Sequence, residues 1–152
     1  MYKIGPGSNL KGAKLSGHDL GSVSKFGRNL DGADLRNADL RNTNLKYLSL
    51  QGAKLQGAKL QNANLMNANL KDSKLNGAKL QNANLEILNL MGADLRGTDL
   101  KGINLSKIVY DSKTKLPKNI NTNKMYKITP KSNLRDAELT EINLEGVDLR
   151  NA

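Results

Sequence analysis

The chain has 152 residues, with 24 lysine and arginine residues against 14 acidic ones, and a formal net charge of +10. This length suits a single domain, and the charge favours a surface that attracts polyanions. One Phe, four Tyr and no Trp are too few aromatic residues for an ordinary globular core. The absence of cysteine excludes a disulfide framework, a thiolate metal site and a cysteine nucleophile. No apolar run approaches transmembrane length and the N-terminus has no apolar signal-peptide core, so we expect a cytoplasmic protein without a membrane partner.

The first part of the chain contains a repeat of five residues, in which leucine recurs from Leu10 to Leu20. We call the leucine slot the centre and number the other four slots from it, from minus-two to plus-two. The next phrase breaks the rule, because Lys25 occupies a centre slot and an unpaired charge inside a leucine column would be costly. We therefore expect residues 21–28 to bulge outward and to replace one side of a coil without shifting the phase, with Phe26 pointing inward.

From residue 29 to residue 107 the repeat runs without a slip. The centre is always leucine, from Leu30 to Leu105, and the minus-two slot is mostly Ala, Ser or Thr. The plus-two slot is nearly always Gly or Asn, the two residues that most readily accept positive φ in tight turns. One minus-two series mixes large and small residues, which suits a tightly packed interior column: Leu48, Ala68, Leu88 and Ile108.

A period of five excludes the ordinary regular structures. On an α-helix with about 3.6 residues per turn, such leucines would spiral around every face, and on a flat strand they would alternate between faces. Glycine this frequent would also destabilise a helix by about 1 kcal/mol per residue relative to alanine. The pattern buries every leucine if the chain turns a corner after each repeat. We therefore expect a β-solenoid whose coils stack about 4.8 Å apart.

Phrases such as Ala33-Asp34-Leu35-Arg36-Asn37 and Ala63-Asn64-Leu65-Met66-Asn67 resemble the A(D/N)LXX repeat of pentapeptide repeat proteins. The resemblance covers nearly the whole chain except residues 21–28 and 108–130. It implies an all-β fold, a right-handed quadrilateral β-helix with four repeats and about 20 residues per coil, whose centre and minus-two residues fill the interior. It implies no particular activity.

The regular repeat then stops. The segment Tyr110-Asp111-Ser112-Lys113-Thr114 resembles the Y-D-x-x-T phrase that interrupts or closes many pentapeptide repeat stacks, and the repeat later resumes one position out of phase. We expect residues 1–107 to form the main β-helix, with its irregular segment at 21–28. Residues 108–130 are expected to be a loop or insertion, and residues 131–152 to stack on the column as a terminal coil.

Two sets of outward residues are candidate interaction surfaces, and a third set is expected to be structural. A compact basic group on two adjacent sides is a candidate anion-binding site: Lys54, Lys59, Lys74 and Lys79. Apolar residues near one corner form a candidate interface with a protein partner or a second copy: Tyr47, Met66, Ile87 and Met91. We expect asparagine columns, including Asn44, Asn64 and Asn84, to join coils through amide hydrogen bonds, as in cross-β ladders.

Residues with catalytic chemistry are scarce. His18, the one histidine, falls in a minus-two slot, where we expect it to be packed or half-exposed and not catalytic. Nothing matches a phosphate loop, a metal-ligand cluster or a nucleophile–base pair, and a filled column has no substrate cavity. We therefore expect no catalytic, cofactor-binding or metal-binding residues and no enzymatic activity.

Three functions remain open. The leading hypothesis is a rigid scaffold that presents flat sides to a protein partner or to itself, including end-to-end association through uncapped backbone edges. The second is binding of an anionic polymer such as nucleic acid through the basic group, although no aromatic residues are interleaved there for base stacking. The third follows from the family resemblance, because some pentapeptide repeat proteins modulate type II topoisomerases by imitating DNA. That mimicry needs a strongly acidic column, so the charge of +10 disfavours it.

Overall fold

The computed structural model describes residues 4–21, 29–118 and 120–129, together with residues 137, 139, 140, 142, 144 and 149. The chain winds into a four-sided β-helix in which each repeat forms one side. Nowhere in these ranges is there a helix with the length and apolarity that a membrane span requires.

Minus-one residues form a column on the outside of each side, and parallel β-bridges join the residues within a column. Bridged residues in the regular coils are 20 positions apart, as Lys54 and Lys74 are, so four repeats complete one coil. We number the sides in chain order. Side 1 carries Asp34, Lys54, Lys74 and Asp94; side 2 carries Asp39, Lys59 and Lys79; side 3 carries Asn44, Asn64 and Asn84; side 4 carries Asn29, Ser49, Asn69, Asn89 and Val109.

The corners are tight turns that depend on positive φ at the plus-two slot. The N–H of Ala33 donates to the Leu30 carbonyl at 3.0 Å, and Gly32 between them has a φ of 66°. Asparagine takes the same conformation, with a φ of 57° at Asn37. This is the geometry of a type II turn, which places a residue with positive φ at its third position. The interpretation of the Gly and Asn residues as corner residues is confirmed.

The coils are held together by backbone hydrogen bonds that repeat on each side. On side 1, the N–H of Leu55 donates to the Lys74 carbonyl at 2.7 Å, and the N–H of Lys74 donates to the Ala53 carbonyl at 2.9 Å. A third bond, from Gly57 to the Asn76 carbonyl at 3.1 Å, joins the corners. These bonds satisfy the backbone polar groups that a buried column would otherwise leave unpaired.

Leucine side chains fill the interior in vertical register. Leu55, Leu75 and Leu95 follow one another on side 1, and each has at most 1 % of its surface exposed. The mixed minus-two series is also inside, since all four of its members are buried: Leu48, Ala68, Leu88 and Ile108. The structure therefore confirms the predicted interior.

Three minus-two slots on the inner wall carry a hydroxyl instead of a methyl group: Thr43, Ser73 and Thr98. Each hydroxyl donates to the carbonyl of the preceding centre leucine, and for Ser73 the distance to the Leu70 oxygen is 2.7 Å. Because every one of these buried donors has a partner, the substitutions avoid the cost of an unpaired polar group.

The first coil is longer than the others by one repeat. Asn9 bridges Asp34, so these partners are 25 positions apart, and Asn29 already belongs to side 4. The extra residues therefore lie between side 3 and side 4. The prediction that residues 21–28 replace one side is wrong, because they are additional to the four sides. The predicted bulge and the position of Phe26 lie outside the described residues.

Gly21 lies where the irregular segment leaves the first coil. A Cβ atom on Gly21 would lie 2.6 Å from the backbone oxygen of Lys46 and 2.7 Å from its backbone nitrogen. Because backbone atoms cannot move aside cheaply, we expect Gly21→Ala to lower the free energy of unfolding by about 1–3 kcal/mol, measured by urea denaturation. Gly5→Ala is the matched control, since no heavy atom lies within 4 Å of a Cβ there. Equal losses in the two variants would contradict this prediction.

Two short strands continue the stack at the end of the column: β1, Ile108–Tyr110, and β2, Met125–Lys127. They pair in parallel on side 4, with Val109 opposite Tyr126. The first residue of each strand joins the main core, whereas the two middle residues pack on the outside. The segment 108–130, which the sequence predicts to be a loop or insertion, thus contains two strands that continue the stack.

Asp111 fixes the exit from β1. Its Oδ1 accepts hydrogen bonds from the backbone N–H groups of Gly92 at 2.9 Å, Lys113 at 3.0 Å and Thr114 at 2.9 Å. The Thr114 hydroxyl lies 2.8 Å from the same oxygen and 3.0 Å from the Leu90 carbonyl. Burial raises the pKa of Asp111, but the hydrogen bonds from Gly92 and Thr114 outweigh burial, so the pKa lies below its ordinary value. The Y-D-x-x-T phrase therefore ties the exit segment to the corner of the coil beneath.

A second, smaller hydrophobic cluster lies outside the column against side 4, and we call it the outer cluster. Its members are Met91, Val109, Ile128 and Ile142, with Ile87, Tyr126, Leu139 and Leu144 packed around them. Leu139 and Leu144 are centres of the C-terminal repeat, which a stacked terminal coil would place in the main core. The described residues place both in the outer cluster, and Leu149 is 38 % exposed. The rest of the predicted terminal coil lies outside the described residues.

Candidate functional site: the outer sides and the end of the column

The basic group lies on sides 1 and 2, midway along the column. Lys54 bridges Lys74 on side 1, and Lys59 bridges Lys79 on side 2, and all four side chains are exposed. Successive coils in a β-stack are about 4.8 Å apart, which keeps these charges close together. The structure therefore brings together the four lysines that the sequence proposes as an anion-binding site.

Carboxylates flank the basic group, and each is paired with the arginine two residues later: the pairs are Asp34–Arg36, Asp39–Arg41 and Asp94–Arg96. In the first pair, Oδ1 of the carboxylate accepts from Nε at 2.8 Å and Oδ2 accepts from Nη2 at 2.5 Å. These side-chain hydrogen bonds lower the pKa of Asp34 and of Asp39 to about 2. The Arg96 hydrogen bond lowers the pKa of Asp94 as well. All three carboxylates are already neutralised by a partner within their own repeat.

The internal pairing leaves the lysines of the basic group without a carboxylate in ion-pair contact, and only the longer-range attraction of Asp34 for Lys54 and of Asp39 for Lys59 remains. In the described part of the chain, the one lysine within 4.0 Å of a carboxylate is Lys115, which lies at that distance from Asp94. The four lysines of the basic group have no such partner in those ranges. A field of charge without ion pairs on a rigid surface attracts polyanions more strongly than a surface of mixed ion pairs does.

The asparagines of sides 3 and 4 stabilise the turns. The Oδ1 atom of Asn44 accepts from the backbone N–H of Lys46 at 3.1 Å, and the same bond recurs at Asn64, Asn69, Asn84 and Asn89. These amide oxygens therefore bond within their own repeat, and not between coils as the ladder prediction has it. Amide bonds between coils occur where Asn104 Nδ2 of the same column donates to Glu86 Oε1, and at the plus-two slot, where Asn62 Nδ2 donates to Asn42 Oδ1 at 3.1 Å. Asparagine at minus-one is favoured because its short side chain reaches its own backbone.

The four candidate interface residues do not form one free surface. Tyr47 is 46 % exposed, and its ring lies under the Lys46 ammonium group at 4.8 Å from nitrogen to centroid. Met66 is half-buried on the same corner. Ile87 and Met91 pack in the outer cluster, and Met91 is only 8 % exposed. Tyr47 is therefore the accessible member of the set.

Ile87 and Tyr47 have unusual backbone conformations. Ile87 has a φ of 57° and Tyr47 a φ of 63° at plus-two slots, where Gly or Asn is the rule. An L-residue in the left-handed region costs about 1–2 kcal/mol, and a β-branched residue is the least suited to it. Contacts in the outer cluster offset this cost at Ile87. Tyr47 is buried less than Ile87, since 46 % of its surface is exposed.

His18 lies on the surface of the first coil. It is exposed, and its Nδ1 lies 3.1 Å from the Ser16 carbonyl. Among the residues that the structure describes, no group of three or more His, Asp or Glu side chains is placed to hold a metal ion.

A groove at the end of the column, above sides 2 and 3, is a feature that sequence reasoning missed. It has a volume of about 670 Å³ and lies between residues 98–105 on one wall and residues 117, 118, 120, 121, 123 and 124 on the other. It forms because the last crossing is short: Lys115 on side 1 and Tyr126 on side 4 are 11 positions apart, against 15 for the same crossing one coil below. The chain therefore cuts across two sides instead of following the wall. The number of residues between Lys115 and Tyr126 would predict the groove only if both residues were already known to lie in the stack.

The square coils, the inward leucines and the outward columns define the chain as a β-solenoid repeat protein. It belongs to the pentapeptide repeat family, because the family model described as pentapeptide repeats matches in 8 copies at residues 27–57, 49–86, 89–108 and 131–152. The fold is the right-handed quadrilateral β-helix of that family.

Solved structures of the same family resemble this chain. Rfr23 from the cyanobacterium Cyanothece 51142 is 32 % identical, with a TM-score of 0.43, over 72 % of this chain and 88 % of that one. A pentapeptide repeat protein from Nostoc Pcc 7120 is 32 % identical, with a TM-score of 0.53, over 66 % of this chain and 84 % of that one. A pentapeptide repeat protein from the Arabidopsis thaliana thylakoid lumen is 28 % identical, with a TM-score of 0.41, over 70 % of this chain and 67 % of that one. No curated protein matches the sequence.

Proposed function

We propose that this chain is a non-enzymatic scaffold that presents its rigid sides to a protein partner or to a second copy. The observation that carries the proposal is the filled interior: the leucines of the central coils are almost completely buried. Such a column offers no internal substrate site, whereas its outer residues are held at fixed spacing by the backbone ladder. A protein with this design recognises other molecules through its surface. Tyr47 is an exposed aromatic residue on that surface, and aromatic side chains are enriched at interfaces.

Tyr47→Asn tests this proposal without damaging the fold. Asparagine accepts the positive φ at this corner more readily than tyrosine, so the variant removes the ring and relieves part of the backbone strain. Light scattering over a range of concentrations and affinity capture of partners then compare this variant with the wild type. Gln51→Ala, which changes an exposed residue near another corner, is the control. We expect Tyr47→Asn alone to weaken self-association or capture. The proposal would be contradicted if the wild type stays monomeric in light scattering and if the wild type and the variant capture the same proteins.

A second candidate function is binding of an anionic polymer to the basic group. The observation that favours it is that, in the described ranges, no carboxylate lies within 4.0 Å of Lys54, Lys59, Lys74 or Lys79. The nearby aspartates are each paired with an arginine of their own repeat. Each lysine that neutralises a phosphate releases a counterion from a nucleic acid. Binding through this group therefore predicts an affinity that falls steeply as salt is raised.

Charge reversal at Lys54 and Lys74 tests the second function. If the four lysines contact about four phosphates, the logarithm of affinity for a DNA duplex falls with the logarithm of salt with a slope of about −3 to −4. Lys54→Glu with Lys74→Glu should abolish most of this binding in a filter or anisotropy assay. Lys113→Glu with Lys118→Glu is the control, because these exposed lysines lie outside the basic group and change the net charge equally. Equal weakening by both pairs, or retention insensitive to salt, would eliminate the function.

A further inference from the structure

We infer that the groove at the end of the column binds a short extended peptide that carries carboxylates between apolar side chains. The inference rests on the proposed scaffold function and identifies a second surface for it. The volume of about 670 Å³ falls within the range of roughly 300–1,000 Å³ that is typical of ligand sites. Three independent properties of the groove define the chemistry of its occupant: its backbone, its floor and its rim.

The backbone along the groove has no ladder partners. In the regular coils, each side makes backbone hydrogen bonds to the coils above and below, but no backbone–backbone bond joins residues 98–105 to a neighbouring coil or to residues 117–124 within the described ranges. The backbone–backbone bonds that these residues do make are corner turns, such as Ile103 N–H to the Leu100 carbonyl at 3.2 Å, and the one link to the coil below in these ranges is the side-chain bond from Asn104 to Glu86. Unpaired strand edges are where an extended peptide adds to a sheet, with main-chain hydrogen bonds supplying the affinity.

The floor of the groove is apolar. Ile103, Leu105 and Ile120 pack against the main core but remain half-buried, whereas centre leucines of the middle coils are almost completely covered. The end of the leucine column is therefore open here. Apolar side chains of a bound peptide would complete its cover, as a capping repeat does in other solenoids.

The rim of the groove is basic. Lys101, Lys118 and Lys124 line it and are exposed, and Asp99 is the acidic residue among the lining side chains. None of these three lysines lies within 4 Å of a carboxylate in the described part of the chain. An acidic segment complements this rim, whereas a basic one would meet like charge. An alternating acidic and apolar peptide satisfies rim, floor and backbone together.

The inference is tested with a labelled hexapeptide that alternates glutamate with leucine. Fluorescence anisotropy of the label measures its binding to the full chain. The double variant Lys101→Glu with Lys124→Glu should weaken binding by about tenfold or more, equivalent to about 1.4 kcal/mol. Lys11→Glu with Lys14→Glu, an equal change of charge on exposed residues of the first coil, should leave the affinity within about twofold. Thermal melts verify that all variants fold, as exposed lysine substitutions should.

Two further probes separate the groove from general attraction to a basic protein. A hexapeptide of lysine and leucine should not bind, and a backbone N-methylated version of the acidic peptide should lose most of its affinity because it cannot complete the ladder. The inference is overturned if both double variants weaken binding equally, if the methylated peptide binds as well, or if the acidic peptide fails to bind. A dimer that the groove variant dissociates would identify a second copy as the occupant and also overturn it. The proposed function is tested separately through Tyr47, so these outcomes leave that test independent.

Discussion

Leu75→Ala is expected to lower the free energy of unfolding by about 2–5 kcal/mol, which is the usual cost of removing a buried leucine side chain. Leu75 is 1 % exposed and lies between Leu55 and Leu95 in the interior of side 1. The backbone ladder prevents the coils above and below from closing onto the cavity, so the loss should fall toward the upper part of this range. Urea denaturation monitored by circular dichroism measures it.

Lys74→Ala is the matched control for this substitution. Lys74 is the preceding residue, its side chain is exposed, and its backbone makes the same ladder bonds whichever side chain it carries. A change of at most about 0.5 kcal/mol is expected, as for most surface positions. Comparable losses in Leu75→Ala and Lys74→Ala would show that the two residues do not point to opposite sides of the wall.

Asp111→Ala is expected to lower the free energy of unfolding by about 2–3 kcal/mol, since a charged acceptor of several hydrogen bonds is lost. The substitution leaves the backbone N–H groups of Gly92 and Thr114 without the oxygen that both now share. Asp99→Ala is the control, because that exposed carboxylate accepts one backbone bond, from Lys101 at 3.0 Å. If both variants lose the same stability, Asp111 does not hold the exit segment to the coil beneath.

The contribution of the Asp111 charge should depend on pH. Its pKa is lower in the folded protein than the value of about 3.9 expected in the unfolded chain, so the unfolded state binds the proton first as the pH falls. The stabilisation is therefore fully present above about pH 4 and disappears as the pH falls through the folded pKa. Asp111→Asn keeps an oxygen acceptor but removes this dependence. The difference in unfolding free energy between wild type and Asp111→Asn should shrink between pH 6 and about pH 3. A difference that stays constant would contradict the role of the charge.

The interior of the column could be predicted from the sequence because one rule decides it. Leu55, Leu75 and Leu95 recur at a fixed interval, and only a corner after each repeat turns all of them inward. The plus-two residues supported the same conclusion independently, since Asn37 and its equivalents adopt the positive φ that a corner requires. Agreement between the hydrophobic pattern and the turn residues is what makes such a fold predictable.

Features that depend on the number of residues between successive bridged positions of the stack could not be predicted. The phase of leucines continues past residues 21–28, so nothing in the sequence distinguishes an added repeat from a replaced side. The groove likewise depends on the short path between Lys115 and Tyr126, and Tyr126 lies outside the five-residue pattern. The longer and the shorter connection differ little in the free energy of loop closure, so the sequence of the loop does not indicate which of the two forms.

The outer sides were predicted only in part. Placing Lys54, Lys59, Lys74 and Lys79 together needed only the column geometry. The burial of Met91 could not be predicted, because the residues that cover it are distant in sequence and a pattern of local repeats cannot reveal them. The asparagines formed turns because a minus-one side chain lies nearer to its own backbone than to the next coil.

Disulfide formation between engineered cysteines tests the stacked coil most directly, because the chain has no cysteine of its own. Lys54→Cys with Lys74→Cys places thiols on bridged residues of adjacent coils, at the spacing of about 4.8 Å that suits a disulfide. Lys54→Cys with Asn64→Cys places them on opposite sides of the column. The β-helix predicts that mild oxidation crosslinks the first pair within one molecule and leaves the second pair reduced. Ready crosslinking of the second pair, or none in the first, would contradict the square coil on which the interior, the basic group and the groove all depend.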